Sequence, residues 1–194
     1  MELHTLYTGY IYGDMRVVRE QAKHWHFWLP LIAYYTGAYS DEIGCLTLDD
    51  LTVEQNILCF SFHTHGKIKP RLIPVHQALI NAGFNDYLAF IKSQNQQRLM
   101  FDLPAKTGSY SEKVRIWFSG EGERAGYLQK CAIPNIDQLG MKTAISSLRL
   151  NFEQQVRIYA LQANSKDAFN YLMGFNEYPH PNYSNVAVLN SIIG

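Results

Sequence analysis

Residues 27–39 read FWLPLIAYYTGAY, and no other stretch limits the fold as much. The run is apolar almost throughout, yet shorter than the roughly 18 uncharged residues that a membrane span needs. Pro30 falls early in it, and Thr36-Gly37 ends it. These features predict a buried core helix, HWHFWLPLIAYY, with Pro30 tolerated in its first turn. The rest of the chain must then build a core around that helix. An apolar fraction of 47% over 194 residues supplies enough material. We expect one unit over residues 1–194. The start, MELHTLYTGYIYGD, has neither a basic beginning nor an apolar segment of the secretory kind. Cys45, Cys59 and Cys131 are odd in number and widely spaced, which suits a reducing compartment and no disulfide framework. The expectation is a cytoplasmic protein with no membrane contact.

Around the central helix, the polar spacing from Met15 to Lys23 predicts a surface helix. Ser40 is placed to cap a short helix that begins with Asp41 and Glu42. NILCFSFH at 56–63 alternates and reads as a strand; THGK turns it, and KPRLIPV returns as its partner. Pro70 and Pro74 put that partner at a sheet edge. HQALINAGF and NDYLAFIKSQN read as helical pieces broken at Gly83, and RLMF as a brief extended segment. Further helices are predicted over 110–118, 123–130, 143–161 and 165–173, and VAVLNSII closes the chain as a short apolar one. The fold class is mainly α with a small antiparallel β-sheet, a hairpin or three strands, hence α+β.

Seventeen Lys and Arg balance seventeen Asp and Glu. Any grip on nucleic acid must therefore come from a local patch rather than a net positive charge. Lys67, Lys69 and Arg71 form one such patch and Arg16, Arg19 and Lys23 another; each is also what a solvated surface looks like. His24-x-His26 and His63-x-His65 resemble ligand pairs, but residues two apart share a face only on a strand, and no third ligand accompanies either. We expect no metal and no cofactor. Glycine loops of the phosphate- or dinucleotide-binding kinds are absent, as is a nucleophile elbow.

What remains is an order of fragments. TGA-x-x-x-E ends the core helix, and a hairpin with lysine at its turn leads to R-x-I-P-V-H. S-x-x-R follows at Ser146–Arg149, then LMGF at 172–175 and a tyrosine at 183. Together these resemble the catalytic domain of the tyrosine recombinases, the phage-integrase family, over about residues 6–190. The likeness is greatest in FWLPLIAYYTGAYSDEIGCLTLDDL and in RLIPVHQALINAGFNDYL with the following RLMFDL.

In that family a tyrosine attacks a DNA phosphate to give a 3′-phosphotyrosyl link, with no cofactor. Arginines, histidines and a hairpin lysine stabilise developing charge and move protons. The resemblance implies Tyr183 as nucleophile (Tyr178 is a less well-spaced alternative), Arg149 as one phosphate-binding cation, and Lys67 as the hairpin lysine, with Lys69 its rival. It also implies replacements. The first arginine falls on Tyr39, the histidine before Arg149 on Ser146, the residue after it on Leu150, and the later histidine on Phe175. Glu42, the usual brace for the missing arginine, keeps only its role at a helix start.

The implied reading is a DNA-binding protein with impaired strand transfer, contacting DNA through Lys67, Lys69, Arg71 and Arg149. It would work with itself as a homo-oligomer or with another integrase protomer, the segment VAVLNSIIG passing to the neighbour. No N-terminal core-binding domain is visible. An active enzyme is the first alternative, with His180 or His63 and Lys142 or Arg157 filling the gaps. A protein-interaction module that has abandoned DNA is the second.

Overall fold

The computed structural model describes residues 3–9, 11–12, 22–105, 108–136, 140, 142–162, 166–175 and 190. Helix α1 spans Leu3–Thr8, α2 His24–Thr36 and α3 Ser40–Cys45, and a single 3₁₀ turn, Leu48–Asp50, leads into the sheet. Strands β1 (Leu51–Glu54), β2 (Ile57–Phe62) and β3 (Arg71–Pro74) are followed by α4 (Gln77–Asn81) and α5 (Phe84–Ser93). The remaining helices are α6 (Ser111–Ser119), α7 (Tyr127–Lys130), α8 (Ser146–Gln162) and α9 (Lys166–Leu172). The architecture is thus α+β, mainly helical, with one three-stranded antiparallel sheet in the order β1-β2-β3. The surface helix predicted before Lys23, and the closing helix at VAVLNSII except for Asn190, lie outside the described residues.

Helix α2 is the buried centre expected of it: Trp25, Leu29 and Ile32 are at most 1% exposed. Several features differ from the sequence reading, and two of them concern this helix. Pro30 sits in the middle of α2, not in its first turn. The proline lacks an N–H, so the carbonyl of His26 loses its helical donor. The Tyr12 hydroxyl lies 3.5 Å from that carbonyl and donates to the next one, Phe27 O, at 2.7 Å. The second difference is RLMF. Only Arg98 makes a strand-like bridge, to Thr47, and the chain then turns through residues 99–102. The turn delivers Asp102 to the start of α2, where its carboxylate accepts from His24 N (2.7 Å) and Trp25 N (3.3 Å). An anion there satisfies orphan amides and favours the positive helix end.

The sheet also holds a strand that the sequence concealed. Between β1 and β2 the chain reverses through Gln55 and Asn56, both at positive φ (51° and 64°). That backbone turn usually carries Asn-Gly or Asp-Gly, so Gln-Asn gives little warning of it. Edge strand β3 pairs Cys59 with Pro74 and Phe62 with Arg71, as its prolines required. Phe60, Phe62 and Ile73 turn inward from the sheet to join α2, α5 and α8 in one buried cluster that runs from Leu6 to Met173.

Where α2 ends, the backbone is tightly specified. Gly37 takes the left-handed conformation (φ 63°) and its N–H closes on Ala33 O at 2.9 Å. A Cβ at this position would lie 2.4 Å from the Phe152 ring, so α8 packs directly against the bare glycine. Thr36 reinforces the turn, donating to Ile32 O and accepting from Ala38 N. Ser40 is the first residue inside α3 rather than its cap; Tyr39 occupies the cap position.

Candidate functional site

Helix ends, loops and the base of α8 surround a cleft of about 1130 Å³. Tyr39 and Ser40 line it from the α2–α3 turn, Ser146 and Arg149 from the start of α8, and Lys142 and His65 from adjacent loops. Three positions that the family resemblance assigns to the catalytic set therefore line one cleft: 146 and 149, a helical turn apart on α8, and 39, more than a hundred residues earlier in the chain. Arg149 is 7% exposed. One of its amino groups donates to Gly37 O and the other to Met173 O at 2.9 Å, and its guanidinium lies over the Tyr39 ring at 4.4 Å. Tyrosine thus meets the cation through its π-face. Two of the five N–H donors of Arg149 are committed to backbone. Burial lowers its pKa, with Tyr39 opposing and Arg71 adding to the shift, but a guanidinium stays charged throughout the physiological range.

Glu42 does more than favour a helix start, and here the sequence expectation needs correction. Its carboxylate accepts from Tyr39 N at 2.8 Å and from both amino groups of Arg71, at 2.6 and 3.3 Å. The side chains of this pair are 0% and 1% exposed. Arg71 was expected in a DNA-facing patch with Lys67 and Lys69; it is instead enclosed, packed over Phe62 at 4.8 Å. The physical reason is alternation. Strand β3 turns Arg71 and Ile73 to the interior, and a charge placed there must find a partner. Glu42, which lacks an arginine at position 39, receives one from β3.

The other expected residues scatter. Lys67 is exposed in the β2–β3 loop and Lys69 half-buried there; neither lines the cleft. Phe175 is half exposed and packs edge-on to Phe169 at 6.2 Å, also away from the cleft wall. Tyr183, Tyr178 and His180 lie outside the described residues. His63 is held by Asp50 (2.5 Å), and His65 faces Asp41 at 4.0 Å, so the two point to different partners. Arg157 pairs with Glu153 along α8 and stacks over Phe169. Among the described residues no three His, Cys, Asp or Glu side chains group as metal ligands would, and no helix is long and apolar enough to cross a membrane.

Sequence reasoning missed Arg115 and Arg124, which also line the cleft. No motif marks them; only the packing of α6 and the following loop brings them there. The same elements bring Glu112, Glu121 and Glu123, and Asp41 adds a fourth carboxylate, so the cleft holds both signs of charge. Asp41 is itself occupied: its Oδ1 accepts from Tyr110 N, Ser111 N and the Ser109 hydroxyl, tying α3 to the start of α6. No protein-family model, curated protein or solved structure matches the chain.

Proposed function

We propose that this protein is a DNA-binding relative of the tyrosine-recombinase catalytic domains with little or no strand-transfer activity. The observation that carries this reading is the meeting of Tyr39 with the α8 residues Ser146 and Arg149 at one cleft. Ser146 and Arg149 are neighbours by helical spacing, but nothing in linear order requires Tyr39 to meet them. The chemistry expected of the arrangement is poor. Tyr39 offers a ring where a cation is needed, Ser146 a hydroxyl where an imidazole is needed, and Phe175 neither donor nor acceptor. Each lost transition-state donor costs on the order of 10²–10³ in rate, and such losses do not simply multiply. Arg149, Lys142, Arg124 and Arg115, the last paired with Glu121, are the cations that line the cleft for a phosphate, beside carboxylates that weaken the hold.

The test is a duplex nicked just beyond the target phosphate, incubated with the protein and with Tyr183→Phe at low and moderate salt. A salt-sensitive shift on native gels, with no denaturation-resistant adduct, is the expected result, because phosphate contacts release counterions. An adduct that Tyr183→Phe abolishes would make the protein an enzyme.

A second reading has one observation in its favour. Leu150, Ile158 and Leu161 are all more than half exposed and lie at i, i+8 and i+11 on one side of α8. Such a face suits contact with another protein. Absence of any DNA shift at low salt would put this interaction role first.

A further inference from the structure

The corner that joins the sheet to α4 is built on one histidine. Strand β3 ends at Pro74, Val75 N reaches back to Leu58 O at 2.8 Å, and His76 then takes the cap position of α4. Its Nδ1 accepts from Ala78 N at 3.0 Å. Cap positions ordinarily carry Ser, Thr, Asp or Asn, whose side-chain oxygens accept throughout the neutral range. An imidazole nitrogen accepts only while it holds a lone pair. The donor here is a backbone N–H, so the nitrogen that faces it must be the unprotonated one, and the neutral ring carries its proton on Nε2.

The same ring makes a second contact. It stacks on Tyr35 of α2, with centroids 4.2 Å apart and planes at 26°. Tyr35 immediately precedes the Thr36-Gly37 turn, so His76 ties the sheet–α4 corner to the end of α2 that leads into the cleft. Protonation sets the two contacts against each other. An imidazolium has N–H on both nitrogens, and Nδ1–H would point at the Ala78 N–H. The π-face of Tyr35 would attract the cation, but no other group favours it. Tyr35, the titratable group that α2 sets against the ring, keeps its own proton, because burial and then Tyr34 raise its pKa. Burial pushes the His76 imidazole below its ordinary 6.5, and no neighbouring charge opposes that shift.

We propose that His76 is a proton-operated latch: neutral, its ring caps α4 and stacks on Tyr35; protonated, it gives up the cap and loosens the corner between β3, α4 and α2. A histidine whose folded pKa is lowered contributes its stability in full above the unfolded value, near 6.5. That contribution is lost as pH falls from there to the folded value. The latch therefore opens in mildly acid solution, and it does so whether or not the cleft holds DNA.

The experiment is an NMR titration of the histidine rings in the intact protein from about pH 7.5 to 5, where ordinary carboxylates stay ionised, with exchange of the Ala78 amide followed over the same range. The His76 ring should titrate below 6.5, and the Ala78 amide signal should move with the same midpoint. Exchange at Ala78, corrected for its intrinsic pH dependence, should quicken about fivefold once the ring is charged, as loss of one cap implies. His76→Asn supplies an acceptor that does not titrate. It should remove the pH dependence of Ala78 exchange and part of the fall in urea-denaturation midpoint over this range. A His76 midpoint at or above 6.5 overturns the proposal, and so does an Ala78 signal that ignores the ring's titration. Equal acid sensitivity of the parent and His76→Asn at Ala78 overturns it as well. Should the variant fail to fold, the ring and amide titrations of the parent still decide.

Discussion

Arg71 and Arg149 are neighbouring buried guanidinium groups, and the fold compensates their charges differently. Arg71 is enclosed and joined twice to a carboxylate, Glu42, so its field is cancelled where it arises. Arg149 has no carboxylate within ion-pair reach among the described residues. Two backbone carbonyls and the Tyr39 ring hold it instead. Dipoles and π-faces stabilise a cation without neutralising it. The first arginine is therefore a structural part, and the second keeps a net charge at the edge of a cleft. Being buried says little about an arginine's role; what it is buried against says more.

The comparison breaks most readily at Glu42. Glu42→Gln leaves Arg71 enclosed without a counter-charge, and we expect a stability loss of about 3–5 kcal/mol in urea denaturation. A loss below about 1 kcal/mol would mean that the pair behaves as a solvated surface one, ending the contrast. Gly37→Ala comes next. It forces a side chain into the left-handed region and against Phe152, displacing the carbonyl that holds Arg149; about 2–3 kcal/mol is expected by the same measurement.

Tyr39 sharpens the comparison at smaller cost. Tyr39→Leu removes the π-face, and a double-mutant cycle with Arg149→Met should give a coupling of about 1 kcal/mol. Tyr39→Phe keeps the ring, and should stay within roughly 0.5 kcal/mol of the parent. A larger effect of Tyr39→Phe would show that the hydroxyl matters.

Acid should act elsewhere, on Asp41 and Asp50. Burial alone would raise both pKa values. Hydrogen bonds outweigh it, from Tyr110, Ser109 and Ser111 to Asp41 and from Thr47 and His63 to Asp50, so both fall below the ordinary 3.8. A carboxyl with a lowered folded pKa contributes fully above its unfolded value and loses that contribution as pH falls through the folded one. Stability should therefore decline as pH drops below about 3.8, and Asp41→Asn should flatten part of that decline in a melting series.

The sequence was most informative where neighbours along the chain decide the outcome. The apolar run of α2 and the alternation of β2 were readable because each obeys its own period. Strand β1 was not, because Gln55-Asn56 performs a reversal that other residues usually mark. The Glu42–Arg71 pair was invisible for a different reason. Strand alternation could have shown that Arg71 faces inward with Ile73, but nothing local says which carboxylate awaits it on another element. Tyr39, Ser146 and Arg149 were singled out by family resemblance, and their meeting depends on the approach of α8 to Gly37. Arg115 and Arg124 came with packing alone.

The clamp around residues 171–174 sets an order of events. Leu72 N donates to the Tyr171 hydroxyl, Lys69 N to Gly174 O and Arg149 to Met173 O. Gly174 comes so near Arg71 that a Cβ would lie 3.4 Å from its amino group. On a ribosome, Glu42 and Arg71 emerge close together, but this last cover follows only about a hundred residues later. At synthesis rates of 5–20 residues per second that delay is roughly 5–20 s. For all of it the pair can remain in water as an ordinary surface contact. The charge that is costliest to isolate is sealed in only after its partner has long been beside it.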